Sequence, residues 1–286
     1  MNTFGTTLLL MGAIIGCSKK SSGTYDVPDA VSASSTERAE ADALWEQRGD
    51  KAQLQAAITQ YEAIYEADPR NREVAARIVR GWYLMGDIHE TDDQVKEQTW
   101  DTAIVWGKRC LAINTDFAAA LEGGASEEEA AASLTVDDIP CMYWTATSLG
   151  KWARFKGLTT LLKHRPTVFT FITQIDERQP EFFYGAADRY WGAYYAALPS
   201  FAGQDLGRSA ESFDASIENS PDYLGTRVLK AEYWAVKTQN RPAFEALLNE
   251  VVNADASADP DIQPENEAEQ AKARALLANM DDLFAD

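Results

Sequence analysis

Few residues in this chain are of types that catalyse reactions. His89 and His164 are the only histidines, and neither stands in the His-Glu-x-x-His spacing that puts two zinc ligands on one helix face. No paired Cys-x-x-Cys, acidic calcium loop or glycine-rich phosphate cradle occurs, so nothing calls for a metal or other cofactor. Ser209 lies in Gly207-Arg208-Ser209-Ala210-Glu211, which misses the nucleophile-elbow pattern at its last position and opens a helix instead of following a strand. Asp92-Asp93 and Asp137-Asp138 are adjacent carboxylates in a chain with 45 acidic residues, where such neighbours are inevitable and do not argue for acid–base catalysis. The residue types point away from an enzyme.

Aromatic density is the unusual feature. Phe182, Phe183, Tyr184, Tyr190, Trp191, Tyr194, Tyr195 and Phe201 crowd into twenty positions. A surface helix needs an apolar stripe of about 100°, and these side chains cover more than one face. Two readings fit: a helix packed on all sides, or one whose second face lines a cavity, where Tyr and Trp offer apolar bodies with polar tips. Tyr143, Trp144, Trp152 and Phe155 on the preceding helix could face the same interior. The candidate ligand cleft is therefore Tyr143, Trp144, Trp152, Tyr184, Arg189, Tyr190, Trp191, Tyr194 and Tyr195. Arg189 would either orient an anionic group or pair with Asp188 or another carboxylate. Plain core packing explains the same set.

The elements that must carry these residues are helices. A pattern recurs five times, a small or apolar residue followed by partners 4, 7 and 12 positions later. It reads Ala57, Tyr61, Ile64, Pro69; Ala103, Gly107, Cys110, Thr115; Val168, Ile172, Ile175, Pro180; Ser209, Phe213, Ser216, Pro221; and, more faintly, Phe244, Leu248, Val251, Ala256. Steps of four and three keep three side chains on one helix face, and a proline five residues later stops the helix. This is the second-helix signature of a tetratricopeptide-type repeat, in which stacked helix pairs bury a shared core. First helices are expected at about 36–48, 72–86, 142–156, 182–198 and 224–238, and the Leu149-Gly150 step resembles the repeat's "L-G" position. The expected architecture is all-α, a right-handed superhelix of about five degenerate pairs. Residues 253–264 read as a linker, and 265–284 as a final amphipathic helix capping the open end.

The net charge of −19 disfavours nucleic acid and anionic lipid surfaces, both of which require a basic face. Residues 1–16 carry no charge and contain an apolar run too short to span a bilayer, which suits a signal peptide. That run ends in Ile14-Ile15-Gly16-Cys17, which resembles a bacterial lipobox and makes Cys17 the expected lipidation site, although no Lys or Arg precedes it. Residues 17–34 read as a flexible tether and 35–286 as one helical domain. Ser18, not Asp, follows the cysteine, which favours outer-membrane attachment facing the periplasm. Within the domain, 114–138 reads as an exposed Ala- and Glu-rich insertion. Cys110 and Cys141 flank it and are either a disulfide pair or two small buried hydrophobes.

The run Phe183-Tyr184-Gly185-Ala186-Ala187-Asp188-Arg189-Tyr190-Trp191-Gly192, then Leu198-Pro199, Gly203-Gln204-Asp205, Ser209-Ala210 and Phe213, resembles the T component (TatT) associated with TRAP transporters. The similarity continues through Tyr223-Leu224, Ala231-Glu232-Tyr233, Met142-Tyr143-Trp144, Lys151-Trp152-Ala153 and Asp281-Asp282-Leu283-Phe284, covering most of 35–285. The resemblance implies a periplasmic lipoprotein of tetratricopeptide-like pairs, trimeric in the family. Such a protein partners the extracytoplasmic solute-binding protein of a TRAP system and passes a small, hydrophobic or organic ligand through a cleft. It implies no catalytic residues. The alternatives are a general periplasmic repeat scaffold in envelope assembly and, more remotely, a peptidoglycan-acting enzyme. For the last, Glu211-Ser212 superficially echoes the catalytic Glu-Ser of lytic transglycosylases, but Phe213 already fills a core position and that family's Gly-Leu-Met-Gln segment is absent.

Overall fold

Asp50, Asn71, Asp92, Asn114, Asp205 and Asn240 each stand one residue before a helix and accept hydrogen bonds from its first free N–H groups, which sets where those helices begin. The resulting computed structural model describes residues 35–284. The expected signal peptide at 1–16, Cys17 and the 17–34 tether lie outside the described residues. Five helix pairs follow in order. They are α1 (Ser35–Trp45) with α2 (Lys51–Ala67); α3 (Arg72–Leu84) with α4 (Asp93–Ala112); and, after the short α5 (Thr115–Glu122) and α6 (Glu127–Ala130), α7 (Ile139–Lys156) with α8 (Leu158–Arg178). Next come α9 (Phe182–Ala197) with α10 (Leu206–Asn219) and α11 (Gly225–Leu229) with α12 (Arg241–Asn253), and then α13 (Gln263–Ala278). The described chain is all-α, with no strand and no helix long and apolar enough to cross a membrane.

The first three positions of every repeated pattern are buried, from Ala57, Tyr61 and Ile64 in α2 to Phe244, Leu248 and Val251 in α12. Each second helix turns that stripe onto its own first helix and onto the next pair: α2 packs on α1 and α3, α4 on α3 and α7, and α10 on α9 and α11. First helices also stack, α3 on α7 and α9 on α11.

Two features depart from straight helices. α3 and α11 each run on into a π-helical turn, Met85–His89 and Lys230–Ala235. In α9, Phe183, Tyr184 and Gly185 have φ of 42°, 59° and 67°, a left-handed turn in front of the right-handed helix. L-residues there cost roughly 1–2 kcal/mol each, so neighbours must hold the turn in place.

The 114–138 segment, expected as an exposed insertion, is about half exposed but is anchored to the core by a few buried side chains. Phe117, Ala130, Ala131 and Leu134 are buried in the main core, and Gln174 of α8 donates to the Ala131 carbonyl. Asp138 is wholly buried, paired with Arg72 at 2.9 Å and accepting from Asn114 Nδ2 at 2.9 Å and Thr135 N at 2.8 Å. The Ala- and Glu-rich composition masks the few large apolar side chains that need a partner. Cys110 and Cys141 are joined by a disulfide, with their Cα atoms 5.6 Å apart, and this closes the segment at its base.

The apolar core has two parts, one running through the first four pairs and one formed by α11, α12 and α13. The final helix does more than cover an end. Ala273 and the following Phe284 seal the second core, while Glu265 reaches back to Arg48 and Arg80 of the first two pairs and Lys272 to Asp87. Charged side chains, not apolar ones, tie α13 across the stack.

Candidate functional site

The left-handed turn is held by Arg189. Its guanidinium donates to the Tyr184 and Phe183 carbonyls at 2.8 and 3.1 Å and to Tyr143 Oη at 3.1 Å, and it lies 4.2 Å over the Tyr223 ring. The expectation that Arg189 pairs with Asp188 or another carboxylate is not met. A buried cation can be satisfied by carbonyls, a phenol and a ring face as well as by a counter-ion. The aromatic excess on α9 has the same origin: Phe182, Phe183 and Tyr184 precede or form the left-handed turn and project along directions that a single α-helix cannot provide. Phe183 meets Trp144 edge-on at 4.8 Å, and Tyr184 stacks on Tyr223 at 5.6 Å while donating to Asp259 Oδ2 at 2.7 Å.

Between α7, α8, α9 and α11, closed on one side by α13 and by the π turn after α3, lies a cavity of about 430 Å³. Tyr143, Trp144, Arg189, Tyr190 and Tyr194 of the predicted set line it. The other four lie elsewhere. Trp152 sits edge-on to His164, Tyr184 is engaged with Asp259 and Tyr223, Trp191 donates to Asp176 among Phe169 and Tyr194, and Tyr195 lies beneath Arg208. Gly150 faces the cavity where Tyr190 enters it. A Cβ there would stand 3.1 Å from Tyr190 Oη, so the small residue makes room for the phenol.

Sequence reasoning missed the polar side of this cavity. Asp87, on the first π turn, accepts from Lys151 of α7 at 2.5 Å and from Lys272 of α13 at 2.9 Å. Lys272 also donates to Glu269 at 2.8 Å. Burial alone would raise the Asp87 carboxyl, but the two lysines outweigh it and hold it well below the usual carboxylate range. Glu232, on the second π turn, lines the same space and makes no hydrogen bond or ion pair among the described residues. Burial raises its carboxyl, Lys151 and Lys272 lower it, Glu269 and Asp87 raise it again, and the net shift is upward. Glu232 is solvent-exposed where it borders the cavity, so its charged neighbours act on it through partly screened contacts. Burial also lifts the phenols of Tyr83, Tyr190 and Tyr223 far above their ordinary range, so they stay protonated. π-helical turns occur mostly where a helix is bent to a purpose, and the two here bring Asp87 and Glu232 to one cavity. The alternation of a π turn leaves no periodic mark in a sequence, which is why these carboxylates were not legible.

The residues whose sequence context echoes catalytic motifs do not come together. Ser209 is buried and donates to the Gly192 carbonyl at 2.7 Å, and Glu211 is exposed on α10. No cluster of three metal-ligating side chains occurs among the described residues.

The model of the family described as TRAP transporter T-component matches residues 50–284. The chain belongs to that family. Membership gives it an accessory role in a TRAP transport system. No curated protein matches the chain. In this T-component the matched region takes in four of the five helix pairs entire, α2 of the first, the clasp made by α13, and every residue that lines the cavity.

Proposed function

We propose that this T-component is a periplasmic accessory subunit that docks the extracytoplasmic solute-binding protein of its TRAP system and passes a small organic molecule through the cavity. The single observation that carries the reading is the cavity itself. It is walled by the first helices of three successive pairs, lined on one side by tyrosines and Trp144 and on the other by charged groups, and large enough for a small molecule. Cys17 would be the acylated N-terminus that ties the domain to the outer membrane, with 17–34 as tether, and the subunit would act as a trimer. The test is capture of the full-length, tagged chain from its own membranes with the solute-binding protein identified in the eluate, alongside mass measurement of Cys17. Recovery of the solute receptor supports the assignment. Recovery of outer-membrane assembly factors in its place would make the chain a general envelope scaffold.

A further inference from the structure

The hairpin of α7 and α8 differs from the rest of the chain in charge. From Ile139 to Ile175 there is no Asp or Glu, against five Lys and Arg, in a chain whose net charge is −19. Exposed apolar side chains gather on the same hairpin. Of the six large apolar residues exposed among the described residues, Phe155, Leu158 and Phe169 belong to it. Phe201, 78% exposed, stands on the adjoining α9–α10 loop. α8 carries two apolar stripes: Val168, Ile172 and Ile175 turn into the core, while Leu158, Leu162, Arg165 and Phe169, spaced by four, three and four, share a second face that stays open to solvent. Arg165 fastens the loop to this face, donating to the Ala202 carbonyl at 3.1 Å and to Tyr194 Oη at 2.5 Å, and the Phe169 ring lies 5.9 Å from that of Tyr194.

This patch borders the mouth of the cavity. Arg154, Ala197, Glu232 and Lys237 are the exposed residues among those that line it, and they mark where it opens. Arg154 directly precedes Phe155, and Ala197 stands four residues before Phe201. Cations around the mouth have no carboxylate partner among the described residues: Arg154 and Arg165 meet tyrosine hydroxyls, Arg208 lies over the Tyr195 ring, and Lys237 is solvated. The carboxylates beside them are Glu232 and Asp205, while Glu97 is taken by Lys156.

An apolar patch with a polar rim marks a partner site, and aromatic and arginine side chains with few carboxylates are the composition of a protein interface. The sign of the unpaired charge selects an acidic partner. Anionic lipid is opposed by the chain's overall charge, and a second copy seated here would close the mouth. We propose that the α7–α8 hairpin and the α9–α10 loop are the face on which the solute-binding protein docks, through a surface of that partner with an apolar centre and an Asp- and Glu-rich rim. Docking there sets the partner directly over the cavity mouth. The proposal rests on the T-component binding that protein and adds where, and by what chemistry, it does so.

Capture from membranes with the full-length tagged chain tests it, with the recovered solute-binding protein quantified for the parent, Leu158→Ser/Phe201→Ser, Arg208→Glu and Arg70→Glu. Arg70 is an exposed cation of the α2–α3 turn that does not line the cavity, so its reversal controls for net charge. The expected result is a loss of about tenfold or more in the serine variant, a smaller loss in Arg208→Glu, and parent recovery in Arg70→Glu, with all four proteins unfolding at similar temperatures. Recovery by the parent should also fall as salt is raised. Equal recovery by the parent, the serine variant and Arg208→Glu overturns the docking face and leaves receptor binding itself standing. Recovery by none of the four, parent included, ends both. Unchanged recovery accompanied by an altered oligomeric mass in the serine variant would give the face to a second copy. Unchanged recovery with lost binding to phosphatidylglycerol vesicles would give it to a membrane. Either result overturns the proposal.

Discussion

Arg48 and Glu265 lie 217 residues apart in the chain, and their side chains meet in a buried ion pair, Nη2 to Oε2 at 2.7 Å. Arg80 adds a second guanidinium to the same carboxylate at 2.7 Å. The pair joins α13 to the loop end of the first pair, so the last helix of the chain is fastened to the first two pairs by electrostatics at a seam where the apolar core is discontinuous. Burial would raise the Glu265 carboxyl, but Arg80 and Arg48 hold it below the usual range.

Removing that carboxylate should be costly. Glu265→Gln leaves two enclosed guanidinium groups without their counter-ion, and breaking a buried pair from one side typically costs about 3–5 kcal/mol. Urea unfolding should show a lower midpoint, and hydrogen exchange should rise first in α13, before the amides of α2 or α4.

Acid should loosen the same seam. Asp87 and Glu265 both have carboxyls displaced downward by their partners, so their contribution to stability is present above the unfolded carboxyl value of about 4 and is lost as pH falls through their lower folded values. Glu232 acts in the opposite sense, because its upward displacement means the folded state gains when it takes a proton. Stability measured by thermal unfolding should therefore hold or rise slightly on mild acidification and fall steeply below about pH 4. A monotonic gain down to pH 3 would contradict the clasp.

The disulfide sets a separate contribution. Cys110 and Cys141 are 31 residues apart, and closing a loop of that size restrains the unfolded chain by about 3.5 kcal/mol on the entropic account. Replacing both cysteines by alanine, or reducing the oxidised protein, should lower stability by about 2–4 kcal/mol without moving α7, and thiol labelling of the untreated protein should find no free Cys110 or Cys141.

The left-handed turn can be probed at two points. Gly185 has φ of 67°, and a Cβ there would stand 3.2 Å from Ser216 Oγ, so Gly185→Ala should cost about 1–2 kcal/mol. Arg189→Met removes the donors to the Phe183 and Tyr184 carbonyls and should cost at least as much, about 2–4 kcal/mol. Both losses appear in equilibrium unfolding, and Arg189→Met should in addition quench the cavity's ligand binding by displacing Tyr143.

Trp191 and Tyr190 are neighbours with different jobs. Trp191 is 8% exposed, and its truncation to alanine should cost about 3–5 kcal/mol. Tyr190→Ala removes a half-buried wall of the cavity and should cost about 1–2 kcal/mol while weakening the cavity's hold on a bound small molecule. If Trp191→Ala abolishes binding in protein that remains folded, and Tyr190→Ala does not, the division between core and cavity is misplaced.

The periodic features were legible without coordinates, because a helix that buries one face writes the period of its turn into its own sequence. The five second helices, their first-helix partners and the terminal helix all lie within a few residues of where spacing puts them, and Ala103, Ile172 and Phe213 are buried as their positions demand. Five of the nine cleft residues line the cavity for a related reason: aromatic density beyond one stripe needs a second surface to meet. Trp152, Tyr184, Trp191 and Tyr195 show the limit of that argument, since composition cannot say which surface.

From the amino-acid order alone came the all-helical pairing, the core stripe of each second helix and the absence of catalytic spacing, all of which depend on residues within a dozen positions of one another. Tertiary structure alone decided the rest. It turned residues 183–185 left-handed under Arg189, set Asp87 and Glu232 on π turns facing one space, joined Cys110 to Cys141 and locked α13 to Arg48 and Arg80. Each of these depends on charges, rings or sulfur atoms brought together from distant parts of the chain, where no local period records the meeting.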